Sequence, residues 1–388
     1  AWNLIEDGVE TQNGTIADID VAAQQTKNFT IPYDLSKVTG KEVFLNIDFR
    51  LKKAEPLMEA GQIVAYAQLA VKEKKCCGHC AENMAKAQDG KKVKAKLIDK
   101  KGEQDITVTT PDLTVKVNRT TGLISEYTYR GKSLLGEDGT LKPNFWRAPT
   151  DNDYGASLQK EMRVWKNPQM TLKSFDKNVS KDNVVLTALF DMPEVKAQLM
   201  LRYDISAAGE VNVTQKMTTD KEVQVADLFR FGLQLQMPAT FSKLEYYGRG
   251  PEENYVDRHS SAFIGKYESD VKDEYYPYIR PQESGNHTDI RYFSIFNPTT
   301  GKGITFEGYE PMECSAIPYL VEDLDSGIEK THAWGQHSGD LVDKGLVQLH
   351  IQKCQYPLGC IDSWMTKPME KYRLHYADRE FTFKIKAK

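Results

Sequence analysis

The sequence has almost no helical signal. Only Ala156–Trp165, where Leu158, Met162 and Trp165 recur at helical spacing, reads as a helix, and it is short. Alternating β/α units are therefore missing, which excludes a doubly wound nucleotide fold and a (β/α)₈ barrel. No apolar run approaches the ~20 residues that span a bilayer, so no membrane helix is expected. Neither sign of charge is in excess: 51 Lys and Arg against 55 Asp and Glu leave a net −4. Bulk electrostatics thus gives no reason to expect nucleic acid or anionic membrane as a partner. The opening AWNLIEDGVE lacks a basic segment followed by an apolar stretch, so no signal peptide is expected, which in a piece of a longer chain says nothing of export. Six cysteines in 388 residues are too few for a disulfide framework. Cys314, Cys354 and Cys360 read as small core hydrophobes.

What the chain does have is strand periodicity. Val43, Leu45, Ile47, Phe49 and Leu51 alternate with polar or smaller residues, as a half-buried strand requires. The same period of two runs through Val195–Ile205, Phe229–Met237, Val347–Ile351 and Phe381–Ile385. Turn signals separate these runs at Thr121-Gly122, Ala208-Gly209, Asn297-Pro298 and Thr300-Gly301. The expected fold is all-β, with antiparallel β-sandwich architecture.

A composition break falls at Val71–Gln104, with ten lysines, five acids and almost no large apolar residues. It reads as a solvated linker, because it cannot bury enough surface to offset its ordering entropy. The expected division is a first β domain at 1–70, the linker at 71–104 and a second at 105–388. Inside the linker lie Cys76, Cys77, His79 and Cys80. Thiolates and imidazole are zinc ligands. One CxxC pair, Cys77 and Cys80, has no second pair at zinc-ribbon distance, so an oxidisable loop is the reading and no metal site is assigned.

Three segments carry the chemistry: Asn144–Asp153 (NFWRAPTDND), Tyr246–Arg258 (YYGRGPEENYVDR) and Gly359–Trp364 (GCIDSW). In the first, Phe145 and Trp146 read as core anchors, each burying ~150–250 Å². Arg147 with Asp151 and Asp153 reads as an internal charge pair fixing a loop. A cation site on Asp151, Asn152 and Asp153 has too few oxygens without help from elsewhere. In the second, Gly248-Arg249-Gly250-Pro251 reads as a turn whose glycines permit unusual backbone angles. Glu252 and Glu253 are neighbours, and on a strand they would face opposite ways, which does not suit a cooperating acid/base pair.

Together these motifs resemble the C-terminal end of a family 2 glycoside hydrolase of the β-galactosidase type. Residues 1–70 resemble the immunoglobulin-like β-sandwich after the catalytic barrel, through Trp2, Asp7-Gly8, Ile31–Leu35, Phe44–Leu51 and Glu59–Ala65, beginning part-way into it. From about Asp105 onward the chain resembles the terminal "small chain" domain, a large supersandwich similar to the galactose-mutarotase fold. The resemblance implies the non-catalytic portion of a retaining β-galactosidase, in a homo-oligomeric bacterial enzyme of cytoplasm or periplasm. Its partners would be the barrel of the same enzyme and a β-galactoside substrate. Magnesium and sodium, common in the full enzyme, would sit in the barrel, with no cofactor on this portion.

A retaining glycosidase needs two carboxyls ~5 Å apart, and in this family the acid/base glutamate follows an asparagine. No Asn-Glu dipeptide occurs in the sequence, so no catalytic residue is assigned. The resemblance makes Trp364 the substrate-contacting residue, an indole on which the C–H face of a sugar packs. Asp362 and Ser363 would shape its loop through side-chain-to-backbone hydrogen bonds. Two rivals stand beside this reading. One is a free-standing carbohydrate-binding module. The other is an aldose 1-epimerase-like enzyme, for which His287 and Glu283 are the nearest acid/base candidates.

Overall fold

The computed structural model describes residues 1–17, 19–73, 94–136, 139–180, 182–329, 336–359, 361–362 and 365–388. The chain divides into two compact units, Ala1–His79 with Phe263–Lys266, and Cys80–Ala262 with Tyr267–Lys388. Cys76, Cys77, His79 and Cys80 lie outside the described residues.

The first unit is built on a four-stranded antiparallel sheet of Val9–Gly14, Trp2–Glu6, Val43–Arg50 and Ile63–Lys72, in that order. Trp2, Leu4, Val43 and Leu45 form its core, with Ile16, Ile31, Tyr33 and Val38 packed against them. The strand at Val43 differs from the expected even alternation. Val43, Phe44 and Leu45 are all buried, whereas Phe49 near the far end is exposed. Period two places side chains on opposite faces, but how much of each face is covered is decided by what packs there.

In the second unit, nine strands form the main path of a twelve-stranded sheet. Their order is Lys142–Asn144, Arg230–Pro238, Leu346–Gln355, Gly303–Ile317, Arg379–Ala387, Val211–Thr219, Ala197–Ser206, Asn183–Met192 and Thr171–Val179. A five-stranded sheet, from Lys96–Ile98 to Lys132–Ser133, brings Ile106, Val108, Val115, Val117 and Tyr127 into the same core as Leu199, Leu201, Phe381 and Phe383. Each fully buried side chain of this kind contributes about 1.5–3 kcal/mol. The architecture is all-β and antiparallel, as the periodicity requires.

Three details differ from the sequence expectation. Lys96–Ile98, inside the stretch read as linker, is a strand paired with Asp105–Thr109, because Leu97 and Ile98 find cover in that sheet. Arg230 and Gln234, which alternate with Phe231, Leu233 and Leu235, are themselves buried, so both faces of this strand are covered. The helix begins at Asp151, five residues before Ala156, and runs as Asp151–Gly155, Leu158–Glu161 and a 3₁₀ turn at Arg163–Trp165. Leu158, Met162 and Trp165 are buried on one face, as their spacing requires.

Candidate functional site

The early helix start has a local cause. Thr150 adopts an extended N-cap conformation, its Oγ1 accepts from the Asp153 N–H at 3.2 Å, and Asp153 Oδ2 accepts from the Thr150 N–H at 2.7 Å. This reciprocal capping box satisfies two otherwise orphaned donors. The same Asp153 carboxylate receives Arg147 bidentately, Nη1 to Oδ2 at 2.6 Å and Nη2 to Oδ1 at 3.1 Å. Both side chains are fully buried, and the guanidinium lies 4.6 Å from the centroid of the Phe229 ring. Arg147 Nη2 also donates to the Pro357 carbonyl at 3.1 Å. Asp151 takes no part in this pair and faces Arg280 at 3.4 Å.

The second motif is stapled along its length. Asn254 Nδ2 donates to the Arg249 and Glu252 carbonyls, and its Oδ1 accepts from the Thr288 N–H at 3.0 Å and Oγ1 at 2.6 Å. Glu253 accepts from the Gly285 N–H at 2.7 Å and is bonded by Arg258 and Tyr278, while Glu252 is exposed. The two neighbouring glutamates thus part ways. Gly248 and Gly250 correct one expectation: they belong to the strand Lys243–Gly250, and neither adopts the left-handed conformation that only glycine takes readily. Glycine is required there by close approach, since a Cβ would collide with Ile290 at Gly248 and with Tyr246 and Tyr267 at Gly250.

Asp257 reaches from this motif to the third. Its Oδ1 accepts from the Leu358 N–H at 3.3 Å and its Oδ2 from the Gly359 N–H at 2.7 Å. Arg147 on one side and Asp257 on the other therefore hold the backbone of Pro357–Gly359, the root of the GCIDSW segment. Beyond that root Ile361 is 68% and Met365 76% exposed. Met365 holds φ +69°, a region costly for a non-glycine residue. Asp362 is exposed and accepts from Thr366 Oγ1 at 2.9 Å. Trp364, Ser363 and Cys360 lie outside the described residues. Cys314 is buried and Cys354 partly so, and burial pushes the Cys354 thiol up to about 12.

Behind this root lies a buried polar layer. Arg230 Nη2 donates to Glu283 at 2.6 Å, and Gln352 Nε2 donates to Asn286 and Gln355. Asn286 Nδ2 donates to Glu313 at 3.2 Å. Burial pushes the Glu313 carboxyl up to about 8, against the opposing pull of Asn286 and Arg230. His287 is completely buried, with Nε2 on Glu274 at 2.6 Å and Nδ1 facing the Arg249 carbonyl. The acid/base candidates of an epimerase reading, His287 and Glu283, are thus each locked to an internal partner rather than facing solvent. Among the described residues, no group of three or more His, Cys, Asp or Glu side chains could hold a metal ion. No described helix is long and apolar enough to cross a membrane.

Sequence reasoning found the Arg147–Asp153 pair and missed Asp257. A carboxylate that binds backbone N–H groups leaves no side-chain signature on its partners. Gly359 was the available hint, since a Cβ there would sit 2.8 Å from Asp257 Oδ2.

Residues 109–385 match the family described as "Beta galactosidase small chain", and residues 1–72 match "Beta-galactosidase, domain 4". The chain is 30% identical over 370 residues to a β-galactosidase of Priestia megaterium, covering 94% of this chain and 33% of that relative. It is 26% identical over 368 residues to a β-galactosidase of Halalkalibacterium halodurans, covering 91% and 35%. The chain thus spans about a third of the length of these curated relatives. Among solved structures, a galactose 1-epimerase from Lactobacillus acidophilus aligns with 76% of this chain and 99% of its own, at 10% identity and a TM-score of 0.38.

Proposed function

Because the chain belongs to the β-galactosidase small-chain family, we propose that it is the non-catalytic C-terminal portion of a retaining β-galactosidase. In this reading the catalytic carboxylates, together with magnesium and sodium, belong to a barrel carried elsewhere in the longer enzyme. The chain's own task is to complete the sugar site with Trp364. Asp362 and Ser363 shape the loop that carries it, and Arg147 and Asp257 fix where that loop leaves the sheet.

The observation that carries the reading is the contrast within one segment. Its root at Pro357–Gly359 is held by two charged side chains, while Ile361 and Met365 stand open to solvent. Exposed large apolar side chains suit a surface that meets another one. A root fixed by charged side chains, with Ile361 and Met365 exposed beyond it, supports a loop that presents side chains to a barrel and its substrate. Residues 1–70 are read as part of a larger sandwich. An apolar groove of about 500 Å³, lined by Trp2, Ile16, Phe29, Ile31 and Phe49 among others, supports that reading.

The test has two arms. The purified chain is expected to show no turnover of a chromogenic β-galactoside, and turnover free of contaminating enzyme would overturn the proposal. In the full-length enzyme, Trp364→Ala is expected to weaken substrate binding by roughly 1–3 kcal/mol without unfolding the protein. Unchanged KM and kcat would remove Trp364 from the site.

A further inference from the structure

A ring of hydrogen bonds closes around the loop root. Asp257 accepts from the N–H groups of Leu358 and Gly359. Three residues before Leu358, Gln355 Oε1 accepts from Gln352 Nε2 at 2.8 Å, and the same nitrogen donates to Asn286 Oδ1 at 2.9 Å. Asn286 Nδ2 donates in turn to the Asn254 carbonyl at 3.0 Å. Asn254 stands three residues before Asp257, where the ring began.

Asn286 touches both arms of this ring. Gln352 belongs to the strand Leu346–Gln355, which runs out into Pro357–Gly359, and Asn254 follows the strand Lys243–Gly250. No ladder joins those two strands directly. His287–Phe296 and Gly303–Ile317 lie between them in the sheet, and the ladder joining that middle pair has register shifts next to His287. Backbone pairing is thus irregular where the two arms must be held apart by a fixed distance. The side chain just before His287 bridges the gap.

Its neighbours dictate how this amide points. The nitrogen faces two oxygens, the Asn254 carbonyl and Glu313 Oε2, the latter at 3.2 Å, and the oxygen faces the Gln352 nitrogen. A rotated amide would set oxygen against oxygen at both places. Asn286 is 0% exposed, so water does not replace a lost partner. Both hydrogens of the amide nitrogen are engaged. The Asn286 backbone carbonyl accepts from the Asn254 N–H at 2.7 Å, which ties the same two segments a second time.

We propose that Asn286 is a positioning residue for the sugar-contacting loop: its amide sets the separation of Asp257 from the Leu358 and Gly359 N–H groups, and so where the GCIDSW segment leaves the sheet. That the loop meets a substrate rests on the function proposed above. That Asn286 sets its root rests on the ring alone.

The experiment measures amide hydrogen exchange by NMR in the purified chain and in Asn286→Leu, a change that nearly keeps side-chain volume. The Leu358 and Gly359 N–H groups are expected to exchange about tenfold faster. Those of Leu199 and Leu201, on a strand paired on both sides, are expected to change less than about twofold. Equal acceleration at all four would show a side chain that only stabilises the unit, and unchanged exchange at Leu358 and Gly359 would remove it from the root; either overturns the inference. In the full-length enzyme the same variant is expected to raise KM about five- to tenfold with kcat nearly kept. Once Asp257→Ala is present, it should add less than about twofold to KM, because it acts through Asp257. Effects that multiply overturn the inference. Should Asn286→Leu not fold, Gln352→Met takes its place, since it is similar in volume and cuts the same link from the other side. Unchanged KM and kcat in Trp364→Ala would remove the proposed function, and the exchange measurement, which uses no substrate, would then decide the inference by itself.

Discussion

The backbone N–H of Gly359 donates to Asp257 Oδ2 at 2.7 Å, joining residues 102 apart in sequence. With Arg147 on the Pro357 carbonyl, it makes the exit of one segment depend on side chains from two other motifs. Charge-assisted bonds of this kind are short and directional. They set the position of a loop more firmly than apolar contact does.

Asp257→Ala should therefore act at a distance from itself. Removing the acceptor frees two N–H groups, and we expect a stability loss of about 1–3 kcal/mol, read by urea unfolding of the chain. In the full-length enzyme KM should rise more than kcat falls, because a misplaced binding loop affects binding first. Equal loss in both parameters would argue for a general structural role.

Gly359→Ala tests the same contact from the other partner. Its new Cβ would sit 2.8 Å from Asp257 Oδ2, so the single variant should be destabilised. In an Asp257→Ala background the same change should cost less, giving a coupling of about 0.5–3 kcal/mol in a double-mutant cycle. Strict additivity would mean that the two residues do not meet in solution.

The buried pair of Arg147 and Asp153 should be intolerant of single deletions. Arg147→Met leaves a buried carboxylate unpaired, as Asp153→Asn leaves a buried guanidinium, and each should cost about 3–5 kcal/mol. Denaturant midpoints report this directly. A loss under 1 kcal/mol for both would show that the pair is not closed as described.

Glu313 gives a pH dependence of defined sign. Its folded pKa stands near 8 against an ordinary 4.5, so between those values the folded chain holds a proton that the unfolded chain has released. Stability from this group is full below pH 4.5 and falls as pH rises towards 8, by up to about 1.4 kcal/mol per unit. Glu313→Gln, which cannot ionise, should be less sensitive to pH than the parent over that window. Parallel curves for the two proteins would show that Glu313 is ionised in the fold.

The strands were legible because period two survives in runs such as Ala197–Tyr203, where packing leaves one row of side chains inside. Solvent exposure was less legible. Arg230 alternates with Phe231 like any surface residue, but it is buried with Nη2 on Glu283, 53 residues away in sequence. The helix start was written in Thr150 and Asp153, three residues apart, but the apolar spacing that begins at Leu158 drew the boundary later. Gly248 and Gly250 were read as turn residues, whereas crowding from Ile290, Tyr246 and Tyr267, distant or folded back in sequence, explains them. Of the site, Arg147 with Asp153 was legible because six residues separate two opposite charges. Asp257 was not, because its partners are amides that every residue but proline carries.

The 210 residues between Arg147 and Pro357 also set a clock. At about 5–20 residues per second, a ribosome needs about 10–40 s to pass from one to the other. Asp153 is only six residues from Arg147, so their pair can close almost as soon as it emerges. The carbonyl that completes the guanidinium's partners is made 210 residues after Arg147, and the amide that meets Asp257 is made 102 residues after Asp257. The loop root is thus among the last parts of the unit to be assembled. A nascent chain halted before residue 357 would lack every contact that aims the segment and also the strand Arg379–Ala387, which joins Gly303–Ile317 to Val211–Thr219, so the sheet and the loop root are completed together.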